Sequence, residues 1–215
     1  MYDIRNIFPK INGVDRNMIK YTSESEYSVS AYKHAKWLSD LIIKKYEKKY
    51  KLIDMTANVG GNTISFLLSG LNVKAYEIDK ITFDYLKNNV NLYINNASNK
   101  QGINLCGKIE LINERSENMI PKENERIIFI DPPWGGPDYK TKKSLMLYLG
   151  KTPLYTIVDN LISKDCYIYL KLPLNFDFKK FNKKIETKFV STTYEMKNNS
   201  NKPLYYITEI IKDNQ

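Results

Sequence analysis

The residues with the clearest potential for chemistry follow an apolar run, Ile127 to Ile130, which predicts a central parallel strand. Asp131, Pro132 and Trp134 then provide a carboxylate, a backbone carbonyl and a flat ring on a backbone that proline restricts. An exocyclic amine needs hydrogen-bond acceptors and a stacking surface, because its lone pair is delocalised into its ring. These residues therefore predict methyl transfer to an exocyclic amine. The alternative is an ordinary turn that contains a buried Trp.

A second group of residues predicts a site for a nucleoside-containing ligand. Leu52 to Asp54 form a short apolar strand, and Gly60 and Gly61 follow in a turn of small residues before a helix. Glycines let the backbone approach a ligand, and the amino terminus of a helix presents free N–H groups to a carboxylate. Glu77 lies in the next predicted strand, 23 residues after Asp54. This is about the offset at which an acidic side chain binds the ribose hydroxyls of an adenosine ligand. This pattern is typical of the first strand, loop and helix of a nucleotide-binding α/β sheet.

The rest of the chain alternates helical and strand patterns, which predicts an α/β domain. Residues 1–26 contain Pro9, Gly13 and scattered basic residues and predict an irregular arm. Ser30 is a candidate N-cap of the first long helix. In chain order, the remaining predicted elements are a helix over 31–48, a strand over 73–79, a helix over 81–95, a strand over 109–112, a helix over 153–163, a strand over 166–172, and an antiparallel pair over 185–194 and 203–211. The final pair would close the sheet.

Composition limits the class of partner and the compartment. The chain has 215 residues, 42% of them hydrophobic, and a formal net charge of +9, which suits one α/β domain with a polyanionic partner. An AT-rich genome would also enrich lysine. Two cysteines and one histidine argue against a disulfide framework or a metal site. No apolar run approaches the roughly 18 residues of a membrane span. We therefore expect a soluble intracellular protein, cytoplasmic or nuclear, without membrane association.

The loop from Asp131 to Tyr139, Asp-Pro-Pro-Trp-Gly-Gly-Pro-Asp-Tyr, resembles the signature loop of the trimethylguanosine synthases, the cap-specific guanine-N2 methyltransferases. Many members have Ser at the position of Asp131. DNA-amine methyltransferases and ribosomal-RNA guanine-N2 enzymes carry a shorter version, so the Gly-Gly-Pro-Asp-Tyr extension favours the cap enzymes. Gly60 to Thr63 also resembles the family's S-adenosylmethionine motif, and Tyr27 to Ser30 and Leu172 to Asn175 resemble two further family segments.

The resemblance implies a fold, a cofactor and site residues. The fold would be α/β, a class I S-adenosylmethionine-dependent methyltransferase with a Rossmann-like, mostly parallel seven-stranded sheet and an antiparallel final strand. The implied residues are catalytic Asp131, Pro132 and Trp134; cofactor-binding Asp54, Thr56, Gly60, Asn62, Thr63, Glu77, Ile78 and Asp131; and substrate-binding Ser28, Ser30, Asn89, Trp134 and Asn175. Asp131 would accept a hydrogen bond from the amine, and Trp134 would stack on the cationic m7G ring. For Ser30 and Asn89 the alternatives are a helix cap and an exposed surface amide.

The sequence departs from the family pattern at positions that bind the ligands. Leu174 stands where the family has a phosphate-binding Arg, so cap phosphates would be bound elsewhere. The candidate replacements are Lys171 and the group Lys140, Lys142 and Lys143. The turn after residue 112 lacks the family's Asp for the adenine amine, which leaves Glu114 or backbone groups. Residues 55–58 differ from the usual cofactor loop.

Together these features predict an S-adenosylmethionine-dependent RNA cap guanine-N2 methyltransferase. It would act as a monomer on m7G-capped RNA and produce di- or trimethylguanosine. Residues 1–30 would form an arm that contributes to the cap site, and residues 31–215 would form the methyltransferase domain. One alternative is an rRNA or DNA amine methyltransferase that acts on guanine N2 or adenine N6. Another is a catalytically silent cap- or RNA-binding subunit, against which Asp54, Gly60, Glu77 and Asp131 argue.

Overall fold

Residues 4–100 and 106–214 are described by a computed structural model, and the chain divides into two units, Met1–Ser116 and Glu117–Gln215. Short helical turns at Ile4–Ile7 and Arg16–Met18 open the first unit. Its further elements are α1 (Ser25–Ser28), α2 (Tyr32–Tyr46), β1 (Leu52–Asp54), α3 (Gly61–Leu68), β2 (Val73–Tyr76), α4 (Lys80–Lys100) and β3 (Ile109–Ile112). All three strands are parallel, with β2 between β1 and β3.

Strands β1 and β2 are buried along their whole length, including the side chains of Asp54 and Lys74, and neither alternates between buried and exposed residues. Leu38 and Ile42 form the buried stripe of α2, which packs on α3. Between the two helices the hydroxyls of Ser39 and Ser65 lie 3.0 Å apart and share a hydrogen bond. The carboxyl ends of β1 and β2 are thereby held on a rigid base.

The amino-terminal arm is packed against α4. Ile4 and Phe8 are 1% and 3% exposed, and the rings of Phe8 and Tyr93 are stacked with centroids 6.5 Å apart. The Tyr93 hydroxyl donates to the carbonyl of Pro9 at 2.8 Å. The prediction of an irregular arm is confirmed only in part, because its apolar residues anchor it to the first unit.

The second unit contains β4 (Ile127–Ile130), β5 (Tyr148–Leu149), β6 (Thr152–Pro153), α5 (Leu154–Ser163), β7 (Tyr167–Leu172), α6 (Phe178–Lys184), β8 (Phe189–Lys197) and β9 (Pro203–Lys212). Strands β4 and β7 are parallel, β9 is antiparallel to both β7 and β8, and β5 and β6 form a separate hairpin. The seven strands of the main sheet follow the order β3-β2-β1-β4-β7-β9-β8. The prediction of a mostly parallel seven-stranded α/β sheet with an antiparallel strand near its end is confirmed.

Two local predictions differ from the structure. Helix α6, Phe-Lys-Lys-Phe-Asn-Lys-Lys, was not predicted because four of its seven residues are lysines, although Phe181 is buried on its inner side. Ser30 does not cap α2: Ala31 holds the N-cap position, and the Ser30 hydroxyl accepts from the Asn62 amide at 3.2 Å. None of the helices in the described ranges is long and apolar enough to cross a membrane.

Candidate active site

The loop after β1 is fixed by Asp54, which is fully buried. Its Oδ2 accepts from the Thr63 hydroxyl at 2.6 Å, and its Oδ1 accepts from the Thr56 N–H at 3.2 Å. Asp54 and Thr63 therefore hold the loop and the start of α3 together. Both residues are predicted to bind cofactor, and in the structure their hydrogen bonds fix the loop between β1 and α3.

Asn58 connects this loop to the arm and to β2. Its backbone has φ 49°, in the left-handed region that Asn tolerates, and its N–H donates to Glu77 Oε2 at 3.0 Å. Its side-chain amide donates to the Ser28 hydroxyl at 2.8 Å and accepts from the Ser25 hydroxyl at 2.9 Å. One residue thus ties three segments, although its side chain departs from the family pattern.

Gly60 and Gly61 are required by geometry at the start of α3. Gly60 has φ 101°, a left-handed conformation that favours glycine. A Cβ on Gly61 would lie 2.7 Å from Val29 Cγ1, so the arm itself occupies the space beside this glycine. The approach of a ligand to these glycines stays a prediction, and the group that lies against Gly61 in the structure is the Val29 side chain.

Glu77 follows β2 and accepts two backbone hydrogen bonds, from Asn58 N–H and from Asp79 N–H at 2.9 Å. Burial raises the pKa of the Glu77 carboxyl, while these hydrogen bonds oppose the shift. The next residue, Ile78, is 53% exposed, and the Asn113 amide donates to the carbonyls of both Glu77 and Ile78 at 2.8 and 3.0 Å. Asn113 therefore fixes the turn that presents a carboxylate beside an exposed apolar side chain.

These groups fit S-adenosylmethionine. A carboxylate suits ribose hydroxyls, an exposed Ile78 side chain suits the flat adenine, and the first turn of α3 offers N–H groups to a carboxylate. Glu114, the candidate for the adenine amine, is exposed beside Asn113.

Three residues predicted to bind substrate form hydrogen bonds between the arm and the rest of the first unit. Ser28 and Ser30 accept hydrogen bonds from Asn58 and Asn62 of the cofactor loop. Asn89 is fully buried: its Oδ1 accepts from Lys20 N–H and the Asn88 amide, and its Nδ2 donates to the carbonyls of Lys20 and Val59. Two donors and two acceptor lone pairs are all that an amide has, so Asn89 has none left for a base. Its role is structural, and it is not the exposed amide of the alternative.

In the second unit, Asp131 lies directly after the fully buried strand β4. Its Oδ2 accepts from Lys171 Nζ at 2.7 Å, and the two side chains are 14% and 5% exposed. Burial raises the pKa of the Asp131 carboxyl, and the Lys171 ammonium works against that rise. Lys171 was a candidate for cap phosphates, but in this structure its ammonium pairs with Asp131.

Trp134 is partly exposed and is surrounded by rings and a cation. The Trp134 and Tyr139 rings pack edge to face, with their centroids 5.1 Å apart and an interplanar angle of 74°. Tyr205 lies 6.4 Å away, and Lys171 Nζ is 5.4 Å from the Trp134 ring centroid. The Trp134 indole N–H is buried and has no hydrogen-bond partner within the described residues. The ring is therefore oriented, and one polar group on it is unsatisfied.

Asn175 fixes the shape of this loop. Its Nδ2 donates to the carbonyls of Tyr139 and Lys142 at 2.8 and 2.7 Å. Gly135 and Gly136 have φ 92° and 73°, which allow the bend between Trp134 and Tyr139. The Asn175 Nδ2 therefore holds the loop, and its buried Oδ1 has no partner in the described residues. A substrate contact of Asn175 stays a prediction.

Sequence reasoning missed the pairing of Lys171 and the presence of Tyr205 in this cluster. The signal for Lys171 was available, because a lysine inside the apolar strand Tyr-Ile-Tyr-Leu-Lys-Leu requires an anionic partner when buried. Tyr205 carried no such signal. No group of His, Cys, Asp and Glu suited to a metal ion occurs within residues 4–100 and 106–214.

Comparison with known proteins places the chain among RNA-modifying enzymes by sequence. A family model described as RNA cap guanine-N2 methyltransferase matches residues 49–210. An uncharacterized protein, L320, of Acanthamoeba polyphaga mimivirus is 34% identical over 139 residues, which are 62% of this chain and 50% of that protein. The trimethylguanosine synthase of Schizosaccharomyces pombe is 29% identical over 119 residues, 55% of this chain and 47% of that enzyme. The chain spans about half the length of these curated relatives.

Solved structures support the fold. The tRNA (m1A58) methyltransferase of Aquifex aeolicus superposes with a TM-score of 0.60 at 11% identity, covering 92% of this chain and 73% of that one. The magnesium protoporphyrin IX methyltransferase of Synechocystis PCC 6803, solved with bound S-adenosylmethionine, gives 0.57 at 10% identity over 97% of this chain and 89% of that one. Both likenesses concern the class I methyltransferase fold alone.

Proposed function

Because the chain belongs to the RNA cap guanine-N2 methyltransferase family, we propose that it transfers a methyl group from S-adenosylmethionine to the exocyclic N2 of the guanine in an m7G RNA cap. The product is a di- or trimethylguanosine cap. The substrate is m7G-capped RNA, and the protein acts as a monomer.

The observation that carries this proposal is the pairing of a buried carboxylate with an oriented indole on one loop. Asp131 follows the buried strand β4, and three residues later Trp134 is held by Tyr139. A carboxylate accepts hydrogen bonds from the N–H groups of an exocyclic amine, and an indole face attracts a cationic ring beyond ordinary stacking. The m7G base offers both an exocyclic amine and a cationic ring.

The cofactor supplies a methyl group on a sulfonium. In the transfer, a bond forms between N2 and the methyl carbon while the sulfur–methyl bond breaks, and the electron pair of that bond stays on sulfur. S-adenosylhomocysteine leaves, and the extra proton on N2 passes to solvent water after transfer. Positioning accounts for most of the acceleration in such a reaction. We assign Asp131 to hold the amine, the Pro132 carbonyl to assist it, and Trp134 to hold the ring.

Residues of the first unit bind the donor in this proposal. Glu77 accepts from the ribose hydroxyls with the acceptor capacity that its two backbone hydrogen bonds leave. Ile78 packs on adenine, and the loop shaped by Asp54 and Asn58 presents the first turn of α3 to the methionine carboxylate.

The test is a methyl-transfer assay with radiolabelled S-adenosylmethionine on m7GpppA, GpppA, GTP and an uncapped ribosomal-RNA hairpin. We expect transfer to m7GpppA and a large preference over GpppA, with the label on guanine N2 by mass spectrometry of the digested product. Asp131→Asn should lower turnover by about 10²-fold or more, since removing one preorganised polar contact typically costs that much.

Two outcomes contradict the proposal. Transfer to the uncapped hairpin or to DNA adenine, with none to m7GpppA, would identify an rRNA or DNA amine methyltransferase. Absence of transfer to every acceptor, with S-adenosylhomocysteine failing to bind in calorimetry, would identify a silent binding subunit. The matched control is Asp165→Asn, an exposed carboxylate at a loop position with φ 58°.

A further inference from the structure

Seven exposed lysines of the second unit take no part in the site described above. We call them the lysine surface; they are Lys140, Lys142, Lys143, Lys179, Lys180, Lys183 and Lys184. The first three lie in and after the turn Pro137–Thr141, and the last four lie on α6.

The two segments that carry these lysines lie side by side. Ser144 donates its hydroxyl proton to Asp177 Oδ2 at 2.7 Å, and Leu145 N–H donates to the carbonyl of Asn175 at 2.9 Å. The Asn175 amide also donates to the carbonyl of Lys142. Side-chain and backbone hydrogen bonds therefore join the loop to the start of α6, so that the lysines form one surface.

The helix dipole favours Lys183 and Lys184 in the last turn of α6 but does not explain the lysines at its start. Lys179 and Lys180 occupy the first turn of α6, where the positive end of the helix dipole disfavours cations and where no acidic residue lies. Lys179 and Lys183 are four residues apart on the helix, where like charges repel. The N-cap Asp177 uses Oδ1 for Lys180 N–H and Oδ2 for Ser144. Within the described ranges none of the seven lysines forms an ion pair.

The lysine surface continues from the loop that carries the aromatic cluster. Lys140 Nζ lies 5.8 Å from the ring centroid of Tyr139, the ring that packs on Trp134. Phosphates attached to a base at Trp134 would be able to reach the lysine surface at Lys140, through the Tyr139 ring that lies between them. We propose that the lysine surface binds phosphates of the RNA chain that follows the cap, in a sequence-independent way. This inference rests on the proposed function, in that it places the cap at Trp134.

The test compares three probes: m7GpppA, a capped single-stranded RNA of about 15 nucleotides, and the same RNA with a 5′ hydroxyl. Affinities are measured by fluorescence anisotropy or calorimetry over a series of salt concentrations. We expect the capped RNA to bind more tightly than m7GpppA and with a steeper salt dependence, because each phosphate contact on a single strand contributes about −0.7 to the slope of log K against log salt.

The variant Lys179→Gln/Lys183→Gln/Lys184→Gln should weaken binding of both RNAs by about 10-fold or more, reduce the slope by about 0.7 for each lost contact and leave m7GpppA unchanged. A loop variant, Lys140→Gln/Lys142→Gln/Lys143→Gln, should weaken both RNAs as well. Its affinity for m7GpppA is not used as a control, because these three lysines are also candidates for the cap phosphates. The matched control is Lys44→Gln/Lys48→Gln/Lys49→Gln, which removes the same charge from exposed positions at the end of α2 and beyond.

Equal losses in the control and α6 variants would overturn the inference, because net charge alone would then explain binding. Unchanged RNA affinity in the α6 variant would also overturn it. The two proposals fail separately: if m7GpppA is neither bound nor methylated while RNA with a 5′ hydroxyl loses affinity only in the lysine-surface variants, the cap function fails and the phosphate surface stands.

Discussion

At the scale of single residues, the buried pair of Asp131 and Lys171 decides what the carboxylate can do. An isolated buried carboxylate tends to become protonated, which would remove an acceptor from the proposed amine contact. The Lys171 ammonium at 2.7 Å favours the ionised form. We therefore expect Lys171 to keep Asp131 ionised, and the pH dependence of the reaction tests this role.

Lys171→Met removes the charge that holds down the pKa of Asp131. The pKa of Asp131, already raised by burial, should rise further, because desolvation is then unopposed by the ammonium. If activity requires the carboxylate, the acidic limb of the kcat/KM profile should move to higher pH. The measurement is a pH–rate profile with m7GpppA, alongside a thermal melt, since loss of one partner of a buried pair also destabilises the fold by about 3–5 kcal/mol.

Lys212→Met is the control for that profile. It removes a lysine whose Nζ lies 2.8 Å from the exposed carboxylate of Asp165, so the net charge changes equally. The profile of this control should match the wild type. An unmoved acidic limb in Lys171→Met would remove Asp131 ionisation from the mechanism.

Trp134 separates cap recognition from general guanine binding. A cationic m7G ring gains about 0.5–2 kcal/mol from an indole face beyond what neutral guanine gains. Trp134→Ala should therefore cost m7GpppA more affinity than GpppA, while Trp134→Phe should restore a good part of both. Affinities by calorimetry and a melting curve check this. If both ligands lose affinity equally and the melting temperature falls, the ring serves only to pack against Tyr139 and Tyr205.

At the scale of elements, the start of α3 depends on the arm that lies against it. Val29 packs against Gly61, while Ser28 and Ser30 accept hydrogen bonds from Asn58 and Asn62. The loop before α3 is therefore shaped by the segment from Ser28 to Ser30, which precedes α2 in the chain. We therefore expect changes in the arm to alter binding of the methyl donor through this loop.

Gly61→Ala should destabilise the protein and weaken S-adenosylhomocysteine binding. The new Cβ would lie 2.7 Å from Val29 Cγ1, and Val is stiff at χ1, so the arm must move at a cost of about 1–3 kcal/mol. Thermal melting and calorimetry measure the two effects. The double variant Gly61→Ala/Val29→Ala should recover both, because the second change removes the clashing methyl group. Failure of this rescue would mean that the ligand, and not Val29, requires the glycine.

Phe8→Ala tests whether the arm is an integral part of the first unit. Phe8 is 3% exposed and stacks on Tyr93, and truncation of a buried Phe typically costs about 3–5 kcal/mol. A fall of about 2–4 °C in melting temperature is expected for each kcal/mol in a chain of this size. Met18→Ala is the control within the arm, because Met18 is 58% exposed. Similar small effects of both variants would contradict the packed arm.

At the scale of the whole molecule, buried and exposed carboxylates should change the free energy of unfolding in opposite directions as pH rises. Burial raises the pKa of Glu77, so the native state binds more protons than the unfolded state above the ordinary carboxyl pKa. The contribution of Glu77 to the free energy of unfolding therefore falls as pH rises from the ordinary carboxyl pKa to the raised pKa of the native state. The hydrogen bond from Lys212 lowers the pKa of Asp165, whose contribution is present above the ordinary carboxyl pKa and is lost as pH falls.

The prediction is measured as the difference in free energy of unfolding between wild type and each variant across pH. The free energy of unfolding of the wild type minus that of Glu77→Gln should decrease as pH rises above the ordinary carboxyl range. The free energy of unfolding of the wild type minus that of Asp165→Asn should increase with pH below that range. Only the change with pH is interpreted, since a constant offset reports lost hydrogen bonds. Parallel curves for the two variants would contradict the assigned pKa shifts.

The sequence by itself determined the elements and the loops that carry chemistry. Four consecutive apolar residues predict β4 because both faces of a central strand are covered, and the structure buries Ile127 to Ile130 completely. Gly60, Gly135 and Gly136 mark positive φ angles, which glycine adopts at low cost. Such information is local: it depends on a few neighbouring residues and on the periodicity of side chains along one element.

Only the tertiary structure decided which polar groups pair. Lys171 and Asp131 are 40 positions apart, and Asn89 reaches Lys20 across 69 positions. A buried donor or acceptor requires a partner, but the sequence does not say which distant segment supplies it. For this reason the family resemblance, which implies substrate contacts for Ser28, Ser30 and Asn89, does not predict their hydrogen bonds with Asn58, Asn62 and Lys20. Lys171, one candidate for the cap phosphates, pairs with Asp131.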